Sequence, residues 1–532
     1  MRIKEVGLLA PSAARMHVSH PMRSCASLIL LTAGLATSAA SQLPAPVTRL
    51  RIIGTNDFHG ALDPRPDARG VVRGGAAALA ATIQRAEDEC VAPSCRWILL
   101  DGGDEFQGTP ASNLAYGRPV SDIFNALGYA AAALGNHEFD WGQDTLRARM
   151  RQEHYAVLGA NVRYTDGRDV PWIRDDTLVT RGPFRIGIIG ITTQSTTTAA
   201  KAGMIAGLRF DNPAPIVDSL AALLRQRGAN KIIVVAHAGG TCGVDGRSQC
   251  SGEIFTTMRQ VTQRIDAVVS GHSHTFINVL VGDMPIMQAR SSGSAIDVID
   301  LPLGPATGPL LHEVRDVLTD LIPPNPLIAG EVAAADAAVA DQVKRPIATV
   351  GEDMLRTGED YALGNLIADA MRAAGNADFG AMNHGGVRAD LHHGIATYGA
   401  LFEVQPFANV LFKVTASGAA MRRYLEQLVG GNRPSIWLSG ATVTVDSTRP
   451  AGSRITRIVL PSGRPFDDAS TYTIVVNDFM VTNNGNLAFP GTPIASEALS
   501  VTDLDALIEY LEHLPQPVAA PKDIRIRIGG HD

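Results

Sequence analysis

Five short apolar runs in the first half of the chain each stop at residues able to hold a metal ion. Leu50-Arg51-Ile52-Ile53 runs into Asn56-Asp57-Phe58-His59-Gly60, and Trp97-Ile98-Leu99-Leu100 into Asp101-Gly102-Gly103-Asp104. Ala131-Ala132-Ala133-Leu134 leads to Gly135-Asn136-His137-Glu138-Phe139-Asp140. Ile232-Ile233-Val234-Val235 leads to His237, and Ala267-Val268-Val269 to Gly271-His272-Ser273-His274. Runs of this length read as buried strands, and open α/β sheets collect ligands at the carboxyl ends of their strands. Five such endings, all supplying Asp, Asn or His, predict a metal site gathered along one sheet edge.

The donors suffice for two cations. Asp57-x-His59 and His272-x-His274 each place two side chains on one side of the chain. Asp104 adds a carboxylate able to bridge, Asn136 a neutral oxygen, and His237 a further imidazole. Mixed nitrogen and oxygen donors suit Zn²⁺, Mn²⁺, Fe or Co²⁺ better than Ca²⁺ or Mg²⁺. Two such ions roughly 3.5–4 Å apart clamp the oxygens of an in-line phosphoryl displacement and activate a bound water. Asp140 stands three residues after His137, a spacing that lets a carboxylate orient the imidazole as acid or as a stabiliser of phosphoryl charge. With no Gly-x-Ser-x-Gly elbow and no outstanding Cys/His pair, the expected nucleophile is metal-bound hydroxide. Alone, each residue has an ordinary structural reading, and Glu138 is expected to support the site rather than bind metal.

At 532 residues the chain exceeds one core, so two large domains are expected. A metal domain is read at 48–322, a linker with a helix at 323–346, and a second domain at 347–528. Helical stretches are expected at Gly75–Ala86, Pro119–Leu127, Ala214–Arg227, Leu327–Val343, Gly364–Ala374 and Ala416–Leu428. Further strands are expected at Tyr155–Gly159, Phe184–Ile191, Val410–Val414, Ala441–Val445 and Tyr472–Val476. Arg2, Lys4, Arg15 and Arg23, then the apolar stretch Ala26–Ala36 of about 11 residues, then Ser38-Ala39-Ala40 describe a secretory signal at residues 1–40. A spanning helix needs about 20 residues, so no membrane anchor is expected in the mature chain. Losing four positive charges and one negative takes the net charge from −7 to −10, which excludes a basic surface for nucleic-acid polymers. Of the remaining cysteines, local pairing as Cys90–Cys95 and Cys242–Cys250 is favoured in an exported protein.

In this order Asn-Asp-Phe-His-Gly, Gly-Gly-Asp-Glu-Phe-Gln-Gly-Thr, Ala-Leu-Gly-Asn-His-Glu-Phe-Asp, Ala-His and Gly-His-Ser-His resemble the calcineurin-like metallophosphoesterases, and more narrowly the 5′-nucleotidase family. The resemblance runs from about residue 48 to 528. It implies an α/β fold: a four-layer β-sandwich flanked by helices, a linker helix and a second α+β substrate-binding domain. It implies one metal on Asp57, His59, Asp104 and His274, another on Asp104, Asn136, His237 and His272, and a catalytic dyad of His137 and Asp140. The nucleotidase branch often has Gln or Asn where His274 stands.

In the second domain, Met382-Asn383-His384-Gly385-Gly386-Val387-Arg388 resembles the family segment whose Asn and Arg contact nucleotide, which implies Asn383 and Arg388. Gln405-Pro406-Phe407 and Asn477-Asp478-Phe479 match the segments whose rings sandwich the base, a stack worth about 1–3 kcal/mol. From residues alone, Phe407 and Phe479 read as core packing. Asn486 stands where the family has an Asp on the ribose hydroxyls, His384 puts a side chain where the family has glycine, and Arg356 matches a phosphate-binding Arg with spacing off by one. The expectation is an exported hydrolase of nucleoside 5′-monophosphates with two divalent metals. Alternatives are a 2′,3′-cyclic-nucleotide phosphodiesterase or UDP-sugar hydrolase on the same scaffold, or a periplasmic nucleotide-binding protein.

Overall fold

Burial on both faces turns the apolar runs of the first half into inner strands. The computed structural model describes residues 47–66, 70–304, 308–356, 361–431, 433–482 and 486–529. The expected leader and the segment Asn483–Gly485 lie outside them. One six-stranded sheet has the order Leu311–Asp316, Ala295–Pro302, Arg49–Thr55, Cys95–Asp101, Ala131–Ala133, Ala156–Leu158. The other has the order Phe276–Val281, Met284–Ala289, Ala267–Ser270, Lys231–His237, Phe184–Thr192, Asp176–Arg181. Four adjacent strands in each are parallel, and antiparallel strands complete the edges.

Ile52, Leu100 and Leu158 of the first sheet meet Ile188, Val235 and Val269 of the second in one core. The outer face of the first sheet is covered by helices Ala76–Asp88 and Arg118–Leu127, and that of the second by Pro213–Gln226 and Glu253–Gln260. The result is the four-layer sandwich the resemblance implies. Register then aligns the carboxyl ends: Thr55 pairs with Asp101, Asp101 with Ala132, His237 with Thr192, and Ala236 with Ser270. Both sheets therefore open their ligand-bearing loops on the same edge.

The helix Pro326–Val343 begins where the Asn325 side chain accepts from the amides of Leu327 (3.1 Å) and Ile328 (3.2 Å), with proline at its first position. Its Ile328 and Val332 bury against the outer core of the first domain. The second domain is built on the sheet Ile436–Ser439, Phe379–Asn383, Thr471–Asn477, Val410–Ser417, Ala495–Thr502. Helices Ala362–Ala374 and Asp503–His513 pack in one of its cores, Gly418–Val429 in the other. One helix starts later than expected: Ala416 and Ser417 end a strand, and the Ser417 hydroxyl caps the helix from Gly418. No helix among the described residues is long and apolar enough to cross a membrane. The Cys90–Cys95 and Cys242–Cys250 pairs are both disulfides.

Candidate active site

The residues that follow the strand ends take up an unusual backbone. Asp57, His59, Asp104, His272 and His274 all have positive φ, between 49° and 80°. For non-glycine residues this region is sparsely populated, and such conformations persist where surrounding structure enforces them. Here the enforcement is visible. Glu138 accepts from the amides of Gly135 (2.7 Å), Asp104 (3.0 Å) and Glu105 (2.8 Å), stitching two ligand loops together. A Cβ on Gly135 would overlap Asp104 Oδ1 and Glu138 Oε2, so this close approach requires glycine.

The loops converge as two overlapping sets that share Asp104. In the first, His274 Nε2 lies 3.4 Å from Asp57 Oδ1, His59 Nε2 lies 3.7 Å from Asp104 Oδ2, and the two imidazoles face each other at 3.0 Å. In the second, His237 Nε2 lies 3.1 Å from both Asp104 Oδ2 and Asn136 Oδ1, and His272 Nδ1 lies 2.9 Å from Asn136 Oδ1. Asp57, Asp104, Asn136 and His237 are at most 2% exposed.

This donor set fits two cations. His59 Nδ1 donates to the Gln107 carbonyl at 2.7 Å and His237 Nδ1 to the Gly102 carbonyl at 2.9 Å. Those bonds fix the tautomers and aim both Nε2 lone pairs at carboxylate or carboxamide oxygens. Lone pairs facing oxygens repel unless a positive charge lies between them. Without metal, a proton carries that charge at His237: burial opposes its ionisation, yet Asp104 and Asp57 hold its pKa at about 10. His59 is pushed well below the usual range by burial and by His274, and His272 falls to about 4 through burial and the nearby His237.

His137 Nδ1 donates to Asp140 Oδ2 at 2.8 Å, as their spacing leads one to expect. Its backbone amide donates to Asp104 Oδ1 at 2.9 Å, tying the dyad to the carboxylate shared by both metal sets. Burial lowers the His137 pKa, but Asp140 and Asp104 outweigh it and the net shift is upward.

A cavity of about 810 Å³ opens over this cluster, lined from the first domain by Asp104, Asn136, His137 and His272 and from the second by Asn383, Arg388, Phe407, Phe479 and Asn486. Phe407 stacks on His137 (centroids 5.5 Å, 21° between planes), with the Arg388 guanidinium 5.8 Å from the same ring. Neither Phe407 nor Phe479 sits in a hydrophobic core, so the core reading of these rings fails. Among the described residues no acceptor lies within hydrogen-bonding distance of the Arg388 guanidinium, although burial pushes its pKa down. Arg356 joins Arg388, His59 and His274 around a smaller cavity of about 180 Å³ and pairs with Asp390 at 3.1 Å. Asn383 accepts from Asn477 Nδ2 at 2.9 Å. His384 packs its ring on Trp437, 4.0 Å between centroids, at the wall of the large cavity.

Sequence reading missed Ser195, whose hydroxyl lies 3.2 Å from His272 Nε2 and 2.8 Å from Thr193 Oγ1, with Thr193 bonded in turn to Glu253. The strand Phe184–Thr192 ends on the same edge as the five metal-bearing runs, which was the available signal. Lys201 and Asn113, which reach the second domain, carried none.

Comparison with known proteins agrees with this geometry. Residues 50–276 match the family model of the calcineurin-like phosphoesterases, and residues 339–491 that of the 5′-nucleotidase C-terminal domain. Endonuclease YhcR of Bacillus subtilis (strain 168) is 28% identical over 508 residues, covering 90% of this chain but only 41% of its own length. A snake venom 5′-nucleotidase of Gloydius brevicauda is 26% identical, covering 85% of this chain and 84% of its own. The crystal structure of a 5′-nucleotidase precursor from Thermus thermophilus superimposes with a TM-score of 0.76 at 26% identity, over 91% of this chain and 100% of that one. The chain thus joins a calcineurin-like phosphoesterase domain, whose candidate ligands suit two divalent cations, to a 5′-nucleotidase C-terminal domain, the make-up of a metal-dependent phosphohydrolase similar to the 5′-nucleotidases.

Proposed function

We propose that this protein is exported and releases phosphate from nucleoside 5′-monophosphates, with Asp57, His59, Asp104 and His274 holding one cation and Asp104, Asn136, His237 and His272 the other. The observation that carries this reading is the Arg388 guanidinium, without an acceptor among the described residues, and the Phe407 ring, both from the second domain, beside His137 and the shared carboxylate Asp104. A cationic fork next to a metal cluster suits phosphoryl oxygens, and an aromatic ring next to the fork suits a base. Bound there, two divalent cations would supply an activated water and neutralise phosphoryl charge.

The chain's own groups do the rest. Arg388, supported by Arg356, holds phosphate oxygens in line for displacement. Asp140 takes the Nδ1 proton bond of His137, so Nε2 presents its proton to the leaving oxygen or to the developing charge. Phe407 and Phe479 hold the base, and Asn383 and Asn486 offer amides to the sugar. Asn486 accepts and donates without charge, so ribose recognition here depends on neutral hydrogen bonds. The two disulfides support export, because such bonds persist in oxidising compartments.

The test is phosphate release by the purified protein loaded with Mn²⁺, Zn²⁺ or Co²⁺. The panel holds AMP, UMP, ATP, UDP-glucose, 2′,3′-cyclic AMP and p-nitrophenyl phosphate, with His137→Ala as control. Preference for monophosphates, lost in the control, is expected. Turnover of p-nitrophenyl phosphate alone would leave the metal site standing and remove the nucleotide.

A further inference from the structure

One cation of the first domain lies against both segments that carry the aromatic clamp. Lys201, just after the helix Thr196–Ala199, extends into the wall of the large cavity. Its Nζ lies 3.2 Å from Asp478 Oδ2 and 3.5 Å from the Phe407 carbonyl oxygen. Asp478 immediately precedes Phe479, so the ammonium touches a clamp segment on each side. Both members of the ion pair are about four-fifths buried, at 22% and 21% side-chain exposure. The other oxygen of Asp478, Oδ1, is buried and has no hydrogen-bond partner among the described residues. Lys201 is therefore the one cation this half-satisfied carboxylate meets at salt-bridge distance among those residues.

A second side chain of the first domain reaches the same place. The Asn113 amide donates to the Pro406 carbonyl at 3.0 Å from a buried position. The segment Gln405–Asn409 is thus held by Asn113 and Lys201 from the first domain, and by Asp503, which accepts from the Asn409 amide (3.1 Å) and Nδ2 (2.9 Å), from its own. Phe479 has only the Lys201–Asp478 contact to relate it to the first domain among these bonds.

We propose that Lys201 is the positioning residue of the aromatic clamp: its ammonium ties the Phe407 and Phe479 segments to each other and to the domain that carries the metal cluster. The inference rests on the nucleotide reading above. Lys201 touches no reacting atom; it acts through the spacing of the two rings and through their distance from His137. Its loss leaves Asp478 without a cation beside the cavity, so the ring that depends on it loses its reference to the catalytic groups. Binding of the base then suffers, and the chemical step much less.

Two measurements test this. The first is steady-state kinetics on AMP for Lys201→Met, Asp478→Asn, the double variant and Lys201→Arg. The expected result is a KM raised about tenfold, or about 1.4 kcal/mol, with kcat within about twofold of wild type. Asp478→Asn should add little on top of Lys201→Met, because the two act as a pair, and Lys201→Arg should restore most of the affinity. An unchanged KM, a fall in kcat with KM unchanged, or effects that simply multiply in the double variant would overturn the proposal. The second is amide hydrogen exchange of residues 405–409 and 478–482 without substrate, which should quicken in Lys201→Met and recover in Lys201→Arg. Unaltered exchange in both segments would also overturn it. If wild type shows no preference for AMP over p-nitrophenyl phosphate, the nucleotide reading fails, and the exchange experiment still decides the role of Lys201.

Discussion

Glu138 offers the sharpest test of how the site is built, because replacing it by glutamine changes almost no volume. Its Oε2 accepts from the Gly135 and Asp104 amides and its Oε1 from the Glu105 amide. A glutamine has one acceptor oxygen. Set at the Oε2 position, it keeps two bonds and turns an NH₂ toward the Glu105 N–H; set the other way, it keeps one and opposes two. The smaller loss is therefore one hydrogen bond and one buried donor left unsatisfied, a cost of about 1–3 kcal/mol. Burial and the Asp104 carboxylate push the Glu138 pKa up to about 8, against the pull of His237 and of the Glu105 and Asp104 amides. Relief of that burial offsets part of the cost, so the lower half of the range is expected for stability.

The effect on metal should be larger than the effect on folding. Three of the hydrogen bonds that hold the strained Asp104 backbone to the Asn136–His137 turn run to this carboxylate, and losing such support typically costs 10–100-fold in metal affinity. Denaturant unfolding in EDTA gives the stability term, and calorimetric titration with Mn²⁺ gives the affinity. A variant destabilised by about 1–3 kcal/mol that binds Mn²⁺ as tightly as wild type would refute the reasoning, because the loops would then hold their ligands without the stitch.

Three further outcomes are expected. His137→Ala and Asp140→Asn should lower kcat on AMP by about 10²–10⁴-fold and by a smaller factor respectively, with metal content by elemental analysis unchanged in both. Arg388→Met should raise KM for AMP and lower kcat/KM by about 10²-fold, the loss of a charged group on phosphate, read by initial rates. Asp297 is fully buried with neither oxygen hydrogen-bonded among the described residues, and burial raises its pKa well above the usual value. Below about pH 4 it is protonated folded and unfolded alike; above that, the unfolded chain ionises first, so stability falls as pH rises until the folded carboxyl also ionises. Asp297→Asn removes that loss, and its stability advantage in denaturant unfolding should grow from pH 4 upward.

The legible parts of the chain were those written locally. Uninterrupted apolar runs such as Ile232-Ile233-Val234-Val235 are buried throughout and become inner strands, and the Asp and His that follow them converge in two groups that share Asp104. The strand Ala295–Pro302 gave no such signal, since Asp297 and Asp300 interrupt it. Asp300 is accommodated by a two-pronged bond with Arg51 at 2.8 Å, a partner 249 residues away. The half-exposed edge strand Leu311–Asp316 was hidden for a related reason: one-sided burial at a sheet edge leaves no apolar run. Positive φ at the ligand residues is a consequence of loop closure on a common centre, and no local rule for Asp or His announces it. Likewise the stack of Phe407 on His137 depends on how the second domain meets the first. Sequence spacing shows that both residues exist; their meeting is a property of the folded chain.

The central claim is that one site is completed by two domains, metals and dyad from the first and base and phosphate contacts from the second. Its most direct test is the ratio of kcat/KM for AMP to that for p-nitrophenyl phosphate, in wild type and in Phe479→Ala, whose ring lies apart from the dyad contact made by Phe407. The account predicts a ratio well above one in wild type that falls about tenfold to a hundredfold in the variant, the worth of one stacked base. A wild-type ratio near one, or a ratio that Phe479→Ala leaves untouched, would contradict it.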